Sequence, residues 1–240
     1  MIVEELKNFY NKKYGSNVST DVICVKCRNF PFDRYEAAVH WAGKGSSLLE
    51  IGCGSGNVLL ALSSSFKECI GVEFSEVRAG ELSKLFESNP RVKILTGNVE
   101  DKELDFPESY FDAILLNSVL EHLVEPISAL KYLYKLLKPG GRIVIITPNI
   151  AKWTRRIKLL FGRFPSTASL NEGLLNYDRK TQTKLYDESH LHYFTFRSLK
   201  NILTERIGFS KIFCYGFGRP EVLVRLLPRL FSECLMIGIK

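Results

Sequence analysis

Residues 48–57 read Leu-Leu-Glu-Ile-Gly-Cys-Gly-Ser-Gly-Asn, an apolar run that breaks into three glycines spaced two apart. A short apolar run ending in glycines reads as a buried strand that turns into a helix, here one opening at Asn57. In sheets built of such units, ligands bind outside the carboxyl ends of the strands. Glycines there reach backbone angles that other residues avoid, and they let a ligand approach the main chain closely. The pyrophosphate fingerprint G-x-G-x-x-G is met only in part: Gly52 and Gly54 are followed by Gly56 one residue early, and Asn57 stands where the third glycine belongs.

Two carboxylates sharpen the reading. Glu50 lies two residues before the first glycine, a poor neighbour for a pyrophosphate and a good one for a cation. Glu73 ends the next apolar run, seventeen residues beyond Gly56, where an acid hydrogen-bonds the hydroxyls of a ribose. A nucleoside with a positive appendage and no phosphate satisfies both, and S-adenosylmethionine is such a molecule. A nicotinamide dinucleotide is the competing ligand, disfavoured by Glu50 and by the misplaced third glycine.

Outward from this turn, apolar runs alternate with amphipathic stretches. Strands are predicted at 47–51, 68–74, 92–96, 111–117 and 142–147, and helices at 57–66, 75–88 and 126–138. The last carries Ile127, Leu130, Leu133, Tyr134 and Leu137 at helical spacing and stops at Pro139-Gly140-Gly141. Thr195 is the expected N-cap of a helix running to Ile207 and stopping at Gly208. A sixth strand at 209–215 and a seventh at 234–239, paired antiparallel, complete the set. The expected fold is α/β: one domain with a doubly wound, mostly parallel, seven-stranded sheet. Its parts are an N-terminal helical cap (1–46), a cofactor-binding half (47–148), an inserted lid (149–193) and a last helix with strands (194–240).

The stretches LLEIGCGSG, the acid of GVEFSE, NVED at 98–101, FDAILLNSVLEHL at 111–123 and LKPGGRIVIITPN at 137–149 occur in the order and spacing of a known family. The chain resembles the class I S-adenosylmethionine-dependent methyltransferases of small molecules, those related to quinone-biosynthetic enzymes. HLHYFTFRSLKNILTERIGF at 190–209 resembles the part of them that precedes the last two strands. The resemblance implies a Rossmann-like fold and the cofactor S-adenosyl-L-methionine. It implies that Glu50, Gly52, Cys53 and Gly54 surround the methionine part and that Glu73 holds the ribose. Phe74 would lie against the adenine, and Asn98, Val99 and Glu100 would contact its edge, with Asn98 standing where the family often has Asp. Asn117, with Ser118 and His122 beside it, would sit near the methionine portion and the transferring methyl.

Methyl transfer to a hydroxyl profits from a general base within hydrogen-bond reach. His122 is the first candidate and His192, in the stretch DESHLHYF, the second; a histidine that merely anchors the loop is the competing reading. Asp187, Glu188, His190 and His192 could be read as a metal cluster, but a structural or substrate-pocket role suits this fold better, and no metal is expected. Cys24-Val25-Lys26-Cys27 is a lone CxxC with no second pair of ligands, so these two thiols are read as incidental, and all six cysteines as reduced.

The formal charge is +7 on 240 residues. Residues 149–193 hold eight basic and four acidic residues, +4 of that total. No RNA-binding module is visible, so nucleic acid is not an expected partner. The segment 153–164, basic and aromatic, has three readings: a packed lid helix, a surface attracting an anionic acceptor, or an interface helix presenting a lipid-linked one. The expected activity is methyl transfer to an oxygen, ahead of a nitrogen or carbon, of a small acceptor such as a sugar, lipid precursor or quinone-like compound, an anionic or lipid-linked one among the options. The alternatives are a partner protein that binds the cofactor without catalysis and, behind it, a nicotinamide-dependent oxidoreductase. Membrane contact is expected to be peripheral at most. The N-terminus lacks a signal-peptide pattern and no run reaches the ~18 apolar residues of a membrane span. A cytoplasmic enzyme, monomeric or homodimeric, is the expectation.

Overall fold

The computed structural model describes residues 4, 7, 8, 10–12, 24–26, 28–101, 104–167 and 189–240. Seven strands form one sheet: β1 (Gly45–Ile51), β2 (Phe66–Glu73), β3 (Val92–Thr96), β4 (Phe111–Asn117), β5 (Leu137–Thr147), β6 (Lys211–Tyr215) and β7 (Cys234–Ile239). Their order across the sheet is β3-β2-β1-β4-β5-β7-β6. β1 to β5 pair in parallel, and β7 lies antiparallel to both β5 and β6. The expected antiparallel pairing of the last two strands holds, with β7 inserted between β5 and β6.

The central strands read as unbroken apolar runs because both faces are covered, as parallel sheets require. Along β4, Phe111, Ile114 and Leu116 enter one buried cluster while Ala113 and Leu115 enter the other. Helix α1 (Arg34–Ala42) covers the second face together with residues of α2 (Asn57–Leu62) and α3 (Glu76–Leu85). The first face receives α4 (Pro126–Leu136) and α6 (Phe196–Asn201), which continues as a π-helical turn (Ile202–Ile207). Asp33 caps α1 by accepting from the amides of Tyr35 and Glu36. Thr195 caps α6 in a reciprocal box with Ser198, as its sequence predicts, and Gly208 ends the π-turn at φ 95°.

Several boundaries differ from those read in the sequence. α2 stops at Leu62 and β2 begins at Phe66, because the buried Phe66 belongs to the core under the sheet rather than to the helix. β5 begins at Leu137, opposite Phe111, and the register shifts before Arg142 meets Ala113; the Pro-Gly-Gly segment is an irregularity within the strand. Two short helices between the last strands, α7 (Glu221–Leu226) and α8 (Pro228–Phe231), have no counterpart in the sequence reading. Of the expected lid, 149–167 and 189–193 are described and include α5 (Trp153–Leu160); residues 168–188, with Asp187 and Glu188, lie outside the described residues, as does Cys27 of the CxxC pair.

Candidate active site

The glycine turn is built by its own backbone. Gly52, Gly54 and Gly56 have φ of 66°, 54° and 74°, angles that disfavour any side chain. A methyl group on Gly52 would stand 2.5 Å from a methyl of Val119, whereas one on Gly54 would meet only the Gly52 carbonyl at 3.9 Å. Gly54 therefore borders open space, the cradle that a ligand fills. The Gly52 amide donates to the Val72 carbonyl (2.7 Å) and the Gly56 amide to the Cys53 carbonyl (2.8 Å), which hold the turn over the end of β2.

Glu73 ties down the other side. Its carboxylate accepts from the amides of Gly54 (2.9 Å) and Ser75 (3.1 Å). A carboxylate offers about four lone-pair positions, so capacity remains for two ribose hydroxyls. Burial pushes its pKa up, partly opposed by those amides and by Arg78. Glu50 is buried as deeply, and its Oε2 has no hydrogen-bond partner. Burial, and after it the Glu73 charge, pushes its pKa well above the ordinary value of 4.5. Two acids packed beneath a glycine turn, one with an orphaned oxygen, form a site that a cation would relieve. The Cys53 thiol, by contrast, turns into the core against the α-carbon of Gly71, leaving only its main chain to the turn.

Phe74 follows Glu73 and meets the ring of Tyr10 edge-on at 6.3 Å. Asn98 is buried and its Oδ1 accepts from the Glu100 amide (3.1 Å). Val99 is part of the core beneath. The Glu100 carboxylate accepts from the amides of Val124 (3.1 Å) and Glu125 (2.6 Å); it braces the loop before α4, an engagement that the motif NVED does not reveal.

At the end of β4, Asn117 Oδ1 is the second buried atom near the glycine turn's edge without a partner. Ser118 follows at φ 59° and accepts from Arg34 (3.1 Å). The turn Leu120–His122 then brings His122 to the N-terminal residues and the end of the insert: its Nδ1 lies 3.1 Å from Tyr10 Oη, 3.1 Å from Ser189 Oγ and 3.2 Å from the Ser189 carbonyl. His190 packs its ring against that of His122 at 4.7 Å. His192 instead places Nε2 at the Val124 carbonyl (3.4 Å) and stands apart from this group.

Glu121 is a titratable residue of the site that the sequence reading did not single out. Its side chain is buried, with Oε2 accepting from Thr147 Oγ1 (2.9 Å) and Oε1 unpartnered. Burial, outweighing its hydrogen bonds, raises its pKa to about 7. One ligand-capable atom from each of Glu121, His122 and His190 lies within 4.8 Å of the others. The structure thus joins His190 to Glu121 and His122 rather than to His192. The only sequence signal was the adjacency of Glu121 to His122, since nothing local announces that a charged residue will be enclosed.

The residues present fit S-adenosylmethionine. Glu50 and Asn117 offer unpartnered buried oxygens toward a cationic, amine-bearing group, Glu73 offers acceptors for a ribose, and Gly54 leaves room at the main chain. A family model described as "Methyltransferase domain" matches residues 26–212. The ubiquinone biosynthesis O-methyltransferase of Alkalilimnicola ehrlichii is 30% identical over 44% of this chain and 43% of its own. The demethylmenaquinone methyltransferase of Clavibacter sepedonicus is 33% identical over 42% of this chain and 40% of its own. The chain thus spans less than half the length of these curated relatives. Among solved structures, the 1,6-didemethyltoxoflavin-N1-methyltransferase of Burkholderia thailandensis, crystallised with 1,6-didemethyltoxoflavin and S-adenosylhomocysteine, shares the fold at a TM-score of 0.62 and 20% identity, over 99% of this chain and 88% of its own. A SAM-dependent methyltransferase from Archaeoglobus fulgidus does so at 0.59, again with 20% identity, over 86% of this chain and 91% of its own. With its family model covering most of its length and its sheet shared with these enzymes, the chain belongs to the methyltransferase-domain family.

Proposed function

We propose that the protein transfers a methyl group from S-adenosylmethionine to an oxygen of a small acceptor: a sugar, a lipid precursor or a quinone-like compound. The observation that carries the reading is the buried Glu50 carboxylate, its Oε2 unpartnered, near Glu73 under the glycine turn. Such a pair is costly to bury and is repaid by a cationic nucleoside. The quinone-type acceptor draws on the names of the curated relatives.

When bound, S-adenosylmethionine supplies a methyl already activated on a sulfonium, so positioning does much of the catalytic work. Glu50 and Asn117 orient the methionine end, Glu73 holds the ribose, and Tyr10 with Phe74 excludes water from the adenine side. The Ser189 carbonyl at His122 Nδ1 can only accept, whereas the Tyr10 and Ser189 hydroxyls can donate to that nitrogen or accept from it; the tautomer proposed for catalysis is the one with its proton on Nδ1. That tautomer leaves Nε2 as the basic nitrogen, suited to take a proton from an acceptor hydroxyl.

Calorimetry with S-adenosylmethionine and with NAD, on the wild type and Glu50→Gln, tests the reading. The wild type should bind S-adenosylmethionine and release protons as Glu50 ionises against the cation. Losing a charged hydrogen bond should weaken binding by roughly 10- to 100-fold. The variant should nevertheless melt higher without ligand, because it no longer buries an acid. Binding of NAD alone, or unchanged S-adenosylmethionine affinity in the variant, refutes the proposal.

A further inference from the structure

Helix α5 is amphipathic like α4 but does not bury its apolar side. In α4, Ala129, Leu130, Leu133 and Leu136 are buried in the core; in α5 no residue is buried. Trp153, Ile157, Leu160 and Phe161 follow one another at helical spacing, with Phe164 a turn beyond, and all are exposed. Leu159, Leu160 and Phe161 are 64%, 80% and 74% exposed, and across the junction Val222 and Leu226 are 67% and 72% exposed.

The two regions form one surface. The Asn149 side-chain amide donates to the carbonyls of Arg229 (2.9 Å) and Ser232 (3.0 Å). Glu233 accepts from the Asn149 amide (2.7 Å) and pairs with Lys152 (3.0 Å) and Arg155 (2.7 Å). The Trp153 and Phe231 rings lie 6.3 Å apart. Segments 152–164 and 219–233 together carry Lys152, Arg155, Arg156, Lys158, Arg163, Arg219, Arg225 and Arg229 against only Glu221 and Glu233. Six of the chain's seven net positive charges therefore fall on this pair of segments.

We propose that α5, the turn after it and α7–α8 form a docking face for a bilayer surface rich in anionic lipid headgroups. Exposed Leu, Phe and Trp interleaved with Arg and Lys match the two layers of such a surface: apolar tips enter the acyl boundary while the cations meet phosphates. A second copy of the chain fits poorly, because a two-fold contact would set this positive face against itself. Nucleic acid would use the charge but leave the aliphatic tips unmatched. No helix among the described residues is long and apolar enough to cross a membrane, so the contact is one of lying on the surface. Helix α5 begins six residues after Thr147, at the carboxyl end of β5 where the candidate site lies, and the inference holds whichever acceptor the site takes.

Sedimentation of the full chain with phosphatidylcholine vesicles, with and without phosphatidylglycerol, tests it. Binding is expected only with phosphatidylglycerol and should fall as salt rises. Leu160→Ser/Phe161→Ser should lower the partition constant at least tenfold. Arg156→Gln and Arg229→Gln should each lower it about fivefold. The emission of Trp153 should shift to the blue on binding, and Trp153→Phe should abolish the shift. Circular dichroism of each variant checks that it folds. No binding to phosphatidylglycerol vesicles at low salt overturns the proposal, as does binding unchanged in the double variant. A wild-type dimer that the double variant dissolves would assign the face to self-association and overturn it as well.

Discussion

Glu121 shows how one enclosed side chain links stability to pH. Its pKa stands at about 7 against an ordinary 4.5, chiefly through burial. A carboxyl whose folded pKa is raised holds its proton more tightly when folded, so it costs nothing below pH 4.5 and an increasing amount as pH rises to about 7. The ceiling of that cost is roughly 3 kcal/mol. Glu121→Gln keeps an oxygen for Thr147 and cannot ionise. Chemical denaturation across pH should show the variant gaining on the wild type between pH 4.5 and 7 and level above; a pH-independent difference would contradict this assignment. Glu50, likewise raised by burial and then by the Glu73 charge, follows the same sign.

The elements around the site are held by contacts that no periodic pattern encodes. α5 exposes its apolar stripe yet is anchored, because Glu233 gathers Lys152, Arg155 and the Asn149 amide at the start of β7. Burial alone would raise the Glu233 pKa, but Arg155 and Lys152 reverse it and hold the carboxyl below the ordinary 4.5. A depressed acid stabilises above its unfolded pKa and loses that contribution as pH falls through its folded one. Glu233→Gln should therefore cost about 1–3 kcal/mol at pH 7, with the difference fading below pH 4.5, as measured by urea midpoints. Loss of that contact should also loosen α5, seen as faster amide exchange there while α4 is unchanged.

Across the whole molecule, the two core clusters meet on β4, whose inner residues are buried on both faces, whereas β3 and β6 at the edges are half-exposed. Native-state hydrogen exchange should be slowest in β4 and its neighbours β1 and β5, and faster in β3 and β6; equal protection across the sheet would contradict this hierarchy. The legible parts of the fold were local ones. Apolar runs bounded by turn residues marked the seven strands, three glycines with Glu50 marked the turn, and Thr195 marked its helix, because each signal needs only a few consecutive residues. Boundaries slipped at Phe66 and Leu137 because burial by distant segments overrode local preference. By itself the sequence determined a doubly wound sheet with carboxylates at the ends of two adjacent strands. Only the tertiary structure decided that β7 slips between β5 and β6, that Tyr10, His122 and Ser189 converge, that Glu121 is sealed in, and that α5 is left uncovered. Each of these depends on which surfaces the folded chain brings over one another, and residues as far apart as Tyr10 and Ser189 carry no local trace of meeting.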